Sequence, residues 1–173
     1  CRPSDVLVVG VGTPLAIAAG MLARELLVPD LTLIVAGAVQ PATHDVAESL
    51  LDPTARARHA QGTFGQAEIL DAIARGTVTL QFVSPAQVDA AGRINVTRVR
   101  TPDGSMRRLP GPLALPDVSV LVGRLVAYRA EHSPRFLVER VDAVTGAGND
   151  IDRTRCGVGV TRIVTGTAEI ELV

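Results

Sequence analysis

The opening segment of the chain constrains its fold most, because an apolar run there ends in a glycine turn and passes into a helix pattern. The run 6–10 is typical of a buried parallel strand. The helix predicted over 14–27 begins with Pro14, and proline suits a first helical position. The glycine turn, the exposed N–H groups and the helix dipole favour binding of an anion or a polarised carbonyl. A plain strand-to-helix connection without a ligand is the alternative.

The composition excludes several classes of function. The chain has 173 residues, 47% of them hydrophobic, which predicts a single folded domain over 1–173. A net charge of −1, one Tyr, three Phe and no Trp argue against a nucleic-acid partner. All 17 basic residues are arginine, so neither a Schiff-base lysine nor a Walker lysine is present in this chain.

The cysteines and the apolar runs predict a cytoplasmic protein without a metal site. Cys1 and Cys156 do not form a metal-ligand cluster, and two cysteines so far apart in sequence are not a disulfide framework, so we interpret them as reduced thiols. The apolar stretch 31–39 is far shorter than the ~20 residues that span a bilayer. No charged segment followed by an apolar one opens the sequence, so we expect neither a signal peptide nor a membrane partner.

Strand and helix patterns alternate in the first half, which favours an α/β fold, and the second half is rich in strand patterns. The predicted helices cover 14–27, 46–51 and 66–75, and Gly76 suits a helix end. The predicted strands cover 6–10, 31–35, 77–83, 94–99, 118–122, 125–128, 136–141, 158–165 and 167–172.

Three connections carry distinct turn chemistry. The segment 84–93 is a polar connection with a turn at Gly92, and 102–104 is a hairpin turn. The segment 109–117 holds three prolines, which predicts a rigid loop instead of a helix interior or a central strand.

Six short segments occur in order along nearly the whole chain: GVGTPL (10–15), VPDLTLI (28–34), AQVDAAGRIN (86–95), LPG (109–111), RFLVERVDAVTG (135–146) and GVTRIVT (159–165). Together they resemble the β-type subunit of the glutaconate-type, family I coenzyme A transferases. The chain is shorter than typical members of that family.

The resemblance implies an open, mostly parallel sheet with flanking helices, and a homologous α-type subunit in a heterodimer or larger hetero-oligomer. It implies a coenzyme A (CoA) thioester as substrate, with no tightly bound cofactor. In the family a β-subunit glutamate attacks the thioester and forms a glutamyl-CoA thioester through an anhydride. Backbone N–H groups stabilise the oxyanion. The implied substrate-binding residues are Gly10, Gly12, Thr13, Pro14, Ala36, Gly37, Gln87, Asn95 and Gly111.

The sequence departs from the family at two functional elements. Ala36 stands at the position of the glutamate, and no carboxylate lies within several residues of it. Where the family has a Gly-Gly pair after its Pro-Gly, this chain has 112–116, PLALP, in which proline lacks an N–H. The anhydride route therefore cannot start from residue 36.

Other residues are weaker candidates for chemistry. Asp89 is a possible general base, although an Asp beside a Gly turn more often forms the turn. His44 and His132 are possible acid–base groups near neutral pH, although the polar turn around His132 favours a surface histidine. His59 is interpreted as part of a solvated charged segment, and Cys156 as an inert thiol. Arg107 and Arg108 suit either CoA phosphates or a solvated hairpin arm.

Three functions follow from these observations. The leading hypothesis is a β-type subunit that handles an acyl-CoA without a glutamyl-CoA intermediate on this chain. In that case hydrolysis or ring opening uses a catalytic group of the partner subunit. The alternatives are ordinary CoA transfer to a carboxylic acid, and a non-catalytic structural subunit.

Overall fold

A computed structural model describes residues 1–10, 13–40, 54, 58, 60–149 and 159–172. They divide into two compact units, 1–82 (unit 1) and 83–173 (unit 2). The single domain over 1–173 stays a prediction, and the helix predicted over 46–51 lies outside the described residues. No helix within these ranges has the length and apolar character needed to cross a membrane.

Unit 1 is a layered α/β arrangement, as its sequence pattern predicts. Its strands follow the order β5-β1-β2-β3-β4, in which β1 pairs in parallel with both β2 and β5, and the pairs β2–β3 and β3–β4 are antiparallel. The elements are β1 (Val6–Val9), α1 (Pro14–Leu26), β2 (Thr32–Val35), β3 (Ala38–Val39), β4 (Gly62–Thr63), α2 (Gln66–Ala74) and β5 (Leu80–Val83). Gly76 follows α2 with φ +74°, which confirms its predicted role at the helix end.

Helix α1 packs closely on the sheet because its inner face carries small residues. Leu7 and Leu33, in β1 and β2, are fully buried. A Cβ on Gly20 would lie 2.9 Å from Leu7 Cδ2 and 3.1 Å from Leu33 Cδ1, so glycine permits this approach. The start of α1 is thereby fixed beside the end of β1.

A two-residue turn joins β2 to β3. Val35 pairs with Ala38, which leaves Ala36 and Gly37 as the turn, and their φ angles are +48° and +87°. Two positive φ angles in a two-residue hairpin are typical of a type I′ turn. The Ala36 N–H donates to the Val9 carbonyl (2.9 Å), and the Phe64 N–H donates to the Gly37 carbonyl (2.7 Å). The turn is therefore fixed from both sides.

The described part of unit 2 is strand-rich, as predicted, and contains one short helix. Strands β6, β7 and β11 form a sheet of order β11-β6-β7, β8 and β9 form a hairpin, and β12 pairs in parallel with β10 and antiparallel with β13. The elements are β6 (Gln87–Asp89), β7 (Ile94–Asn95), β8 (Arg98–Arg100), β9 (Met106–Arg108), α3 (Leu115–Leu121), β10 (Arg124–Arg129), β11 (Leu137–Val138), β12 (Val160–Thr165) and β13 (Glu169–Glu171). The hairpin turn predicted at 102–104 is confirmed by the β8–β9 pairing.

The strand predicted over 118–122 is wrong, because helix α3 occupies Leu115–Leu121. Pro116 lies in the first turn of α3, where its missing N–H has no helical partner to lose. The buried residues Leu115, Val118 and Ser119 have helical spacing, and the Ser119 hydroxyl donates to the Pro116 carbonyl (2.9 Å). The β-branched residues of this segment favour a strand when the sequence is considered without its burial. The helical spacing of the buried residues is evident only in the structure.

The connection 84–93 and the strand 94–99 also differ from prediction. The connection contains β6, and the predicted strand is divided into β7 and β8. The division occurs because Asn95 Oδ1 accepts hydrogen bonds from the N–H groups of Thr97 (3.0 Å) and Arg98 (3.3 Å). Asn95 thus forms a local turn in place of a continuous strand.

Replacing Gly37 tests the type I′ turn. A Cβ at residue 37 would lie 2.5 Å from the Phe64 carbonyl oxygen, whereas a Cβ on Gly76 would meet no atom of the described residues within 4 Å although its φ is also positive. We expect Gly37→Ala to lower the free energy of unfolding by ~2–4 kcal/mol through backbone strain and overpacking. Gly76→Ala, which carries the strain alone, should cost ~1 kcal/mol. Urea unfolding of both variants measures the difference, and equal losses would contradict this account of the turn.

Candidate functional site

Five of the predicted site residues lie at one edge of unit 1, where the parallel strands β1 and β2 end. Gly10 follows β1, Thr13 and Pro14 begin α1, and Ala36 and Gly37 follow β2. The hydrogen bond from Ala36 N–H to the Val9 carbonyl joins the two strand ends directly. Ligands of open α/β sheets bind at this carboxyl edge. Gly12 lies outside the described residues.

The start of α1 has no side-chain cap. The Thr13 hydroxyl donates to the Gly10 carbonyl (2.7 Å), so it is not used to accept a bond from the first helical turn. No acidic residue is present in that turn, and Pro14 contributes no N–H. The positive end of the helix dipole is therefore not offset by a local carboxylate, which favours negative charge nearby.

The two described glycines of this edge have different roles. A Cβ on Gly10 would meet no heavy atom of the described residues within 4 Å, so the described part of the chain leaves open space beside its backbone. Gly37 is required by the turn, because its neighbour Phe64 fills the space where a Cβ would lie. Gly10 therefore permits the approach of another group, whereas Gly37 fixes the position of Ala36.

Ala36 is the exposed residue of the turn and has a left-handed backbone. A non-glycine residue in this conformation costs ~1–2 kcal/mol, and such strain often occurs at functional sites. Its methyl group has neither a lone pair nor an acidic proton, so residue 36 can position a neighbouring backbone but cannot attack or protonate a substrate.

Glu68 is an acidic residue near this turn that the sequence analysis did not single out. The Phe64 N–H bonds to Gly37, and one residue later the Gly65 N–H donates to Glu68 Oε2 (2.6 Å). Glu68 is exposed and occupies the third position of α2. A glutamate three residues after the residue that precedes a helix is typical of a helix start, and this spacing from Gly65 is the sequence pattern that could have pointed to Glu68.

In unit 2, Gln87 and Asn95 belong to a buried hydrogen-bonded network. Asn95 Nδ2 donates to Gln87 Oε1 (2.7 Å) and to the Arg98 carbonyl (2.7 Å). Gln87 Nε2 donates to Asp142 Oδ2 (2.8 Å), which also accepts from the Arg100 N–H (2.9 Å). Asn95 is 0% exposed, and its amide oxygen and nitrogen are both used within the protein. These residues position β8 and leave little hydrogen-bonding capacity for a ligand.

The carboxylate of Asp142 is stabilised as an anion. Its hydrogen bond from the Arg100 N–H lowers the pKa of Asp142. Desolvation opposes this effect, but the hydrogen bond from Gln87 and the charge of Arg100 lower the pKa further. Asp142 is consequently a hydrogen-bond acceptor at neutral pH and does not supply a proton.

Asp89 is 2% exposed, and both of its carboxylate oxygens are occupied. Oδ1 accepts from the N–H groups of Ala91 and Arg93 (both 3.1 Å). Oδ2 accepts from Arg93 Nε (2.9 Å) and the Val141 N–H (3.3 Å). These contacts favour the turn-forming interpretation of Asp89 over the general base.

The loop that begins at Gly111 contains two residues with a positive φ angle. Gly111 has φ +115°, and its N–H donates to the Val96 carbonyl (3.2 Å). Leu113 has φ +46° and is 88% exposed. A bulky side chain thus occupies a left-handed position that glycine adopts without strain.

The remaining candidates that the structure describes do not form a recognisable catalytic group. His132 is exposed, and its Nδ1 lies 2.9 Å from the Thr165 hydroxyl. His44, His59 and Cys156 lie outside the described residues. Arg107 and Arg108 are exposed on β9. Within the described part of the chain, no three His, Cys, Asp or Glu side chains are grouped to hold a metal ion.

Comparison with solved structures identifies similar folds. The decarboxylase AibA/AibB is 27% identical, with a TM-score of 0.83 over 99% of this chain and 68% of that chain. Glutaconate coenzyme A-transferase from Acidaminococcus fermentans is 21% identical, with a TM-score of 0.76 over 98% and 68%. IpdAB from Rhodococcus jostii RHA1 is 19% identical, with a TM-score of 0.75 over 96% and 64%. No protein-family model and no curated protein matches the sequence.

Replacing Asn95 tests whether it is a structural residue. Asn95→Ala removes four hydrogen bonds and leaves buried partners unpaired, so we expect the free energy of unfolding to fall by ~2–4 kcal/mol. Asn149→Ala is the matched control, because the Asn149 side chain makes no hydrogen bond with the described residues, and it should change stability by less than ~0.5 kcal/mol. Chemical denaturation compares them, and a stable Asn95→Ala variant would contradict the structural role.

Proposed function

The chain has the fold of the family I coenzyme A transferases, and we propose that it is the β-type subunit of a heteromeric enzyme acting on an acyl-CoA thioester. The group that attacks or activates the substrate comes from a homologous α-type subunit. No glutamyl-CoA intermediate forms on this chain, and the reaction is hydrolysis or ring opening instead of transfer to a carboxylic acid.

The observation that carries this proposal is the exposed methyl group of Ala36 at the carboxyl edge of the parallel strands. A nucleophilic carboxylate at this turn would face outward beside the uncapped start of α1. The chain has the turn, its left-handed backbone and the neighbouring helix start, but a methyl group stands where the resemblance places the attacking oxygen. This geometry supports binding, and the missing oxygen argues against a covalent step here.

The similarity to AibA/AibB supports chemistry other than CoA transfer. That protein is a decarboxylase and has a higher sequence identity to this chain than the glutaconate transferase has. The fold therefore accommodates a different reaction, which agrees with a chain that lacks the transferase nucleophile.

The residues of this chain would act on the polarised carbonyl. Open space beside Gly10 admits the thioester, and the positive end of α1 favours the negative charge that develops on the carbonyl oxygen. In hydrolysis, water adds to the carbonyl carbon, the C–S bond breaks, and the CoA thiolate takes up a proton. The partner subunit supplies the base for that water.

Ordinary CoA transfer remains a second candidate because of Glu68. Its carboxylate bonds to Gly65, next to the Phe64 residue that contacts Gly37, and it is exposed. If Glu68 replaced the missing nucleophile, an acyl group would pass through an anhydride with Glu68 before CoA attacked that carboxyl carbon. The hydrogen bond to Gly65 opposes this role, because it commits one carboxylate oxygen to the start of α2.

Turnover without an acceptor tests the proposal. The co-expressed pair of subunits should release free CoA from an acyl-CoA substrate when no carboxylic acid is added, as measured with a thiol reagent. Glu68→Gln should change kcat by less than about threefold, because Glu68 makes no covalent bond to substrate. Ala36→Gly, the control at the turn, should have an equally small effect because glycine accepts the same backbone conformation.

Two outcomes would contradict the proposal in different ways. Strict dependence on an added carboxylic acid, together with a loss of about 10³-fold or more in Glu68→Gln, would identify ordinary transfer through Glu68. Failure of the intact complex to turn over any CoA ester would favour the non-catalytic structural subunit.

A further inference from the structure

The β8–β9 hairpin of unit 2 concentrates positive charge. Arg98, Arg100, Arg107 and Arg108 all lie on this hairpin and are exposed. The chain as a whole has a net charge of −1, so the hairpin is a local departure from a nearly neutral protein. It holds four of the 17 basic residues.

The strand register places three of these arginines on one face. Arg98 is directly opposite Arg108, and Arg100 is opposite Met106. Because side chains alternate along a strand, the side chains of Arg98, Arg100 and Arg108 share a face and Arg107 lies on the other. Directly opposed like charges destabilise an antiparallel pair. The positive charges of Arg98 and Arg108 therefore repel each other, and an anion bound between them would offset this repulsion.

The carboxylates that the structure describes do not neutralise the Arg98–Arg108 pair. Asp103 accepts hydrogen bonds from the Thr101 hydroxyl and from the Ser105 N–H (3.0 Å) and hydroxyl (2.8 Å), so it is used by the turn. Asp142 accepts from the Arg100 N–H. Among the described residues, neither Arg98 nor Arg108 forms a salt bridge with a carboxylate.

The base of the hairpin is held in place by the buried network. Asn95 bonds to both the N–H and the carbonyl of Arg98, and the Leu109 N–H donates to the Thr97 carbonyl (2.8 Å). The Thr97 hydroxyl also pairs with that of Thr145 (2.7 Å). The backbone that carries the arginines is thus ordered before any ligand binds, which reduces the entropic cost of binding.

We propose that the face formed by Arg98, Arg100 and Arg108 binds the phosphate groups of a CoA ester. This inference rests on the proposed function, which makes a CoA ester the substrate. CoA carries a diphosphate and a 3′-phosphate, and guanidinium groups bind such oxygens with bidentate hydrogen bonds. Three arginines on one face suit a ligand with several phosphoryl groups better than they suit a ligand with a single carboxylate. Gln87 and Asn95 act as positioning residues in this role.

Binding measurements on the full-length chain and on its complex with the partner test the inference. Isothermal titration with CoA, 3′-dephospho-CoA and pantetheine should give affinity in that order, and the CoA affinity should fall as salt is raised. In Arg98→Gln/Arg108→Gln, the Kd for CoA should rise at least about tenfold while that for pantetheine stays unchanged. Arg135→Gln/Arg140→Gln is the control, because it removes two exposed arginines elsewhere in unit 2.

A charge reversal separates binding from stability. Arg108→Glu places an opposite charge directly across from Arg98, so its melting temperature should equal or exceed that of the wild type while CoA binding weakens. CoA binding that is undiminished in the double variant and in Arg108→Glu would overturn this inference and leave the proposed function intact. Loss of subunit association in these variants, with CoA affinity of the isolated chain unchanged, would also overturn it. Absence of CoA binding by the wild-type complex would overturn both proposals.

Discussion

The left-handed turn at Ala36 and Gly37 is the constraint on which the candidate site depends. It ends a buried parallel strand, reverses the chain within two residues, and is fixed by hydrogen bonds to Val9 on one side and Phe64 on the other. Glycine at residue 37 is required because the Phe64 carbonyl fills the space for a side chain. The turn therefore presents residue 36 outward, and under the proposed function the side chain at this position determines whether an attack on the thioester can start from this turn.

The sequence predicted the parts of the fold that follow from local pattern. Some residue types strongly favour one local structure, and these gave correct predictions. Apolar runs predicted β1 and β2, a proline predicted the start of α1, Gly76 predicted the end of α2, and the residues 102–104 predicted a hairpin turn. It did not predict α3, because Val118 and Val120 favour strands, and burial of one helical face outweighs that preference. It also did not predict the structural role of Gln87 and Asn95. Gln87 bonds to Asp142, which is distant in sequence, and Asn95 bonds to Arg98 across a turn.

The candidate residues fall into two groups, one in each unit, with different functions. At the edge of unit 1, the described residues leave open space beside Gly10, and Thr13 leaves α1 without a side-chain cap, so this edge suits a substrate carbonyl. In unit 2, buried polar side chains are satisfied by one another and maintain the arginine-bearing hairpin. Sequence resemblance grouped both sets as binding residues. The hydrogen bonds distinguish the residues that hold the backbone from those left available to a ligand.

The most direct test of the central claim is the mass of this chain during turnover. The complex is incubated with an acyl-CoA substrate, treated with hydroxylamine or borohydride, and this subunit is digested and analysed by mass spectrometry. The account predicts that no peptide of this chain carries a hydroxamate or a reduced carboxyl group, because residue 36 is alanine. A modified glutamate in this chain, at Glu68 or elsewhere, would contradict it.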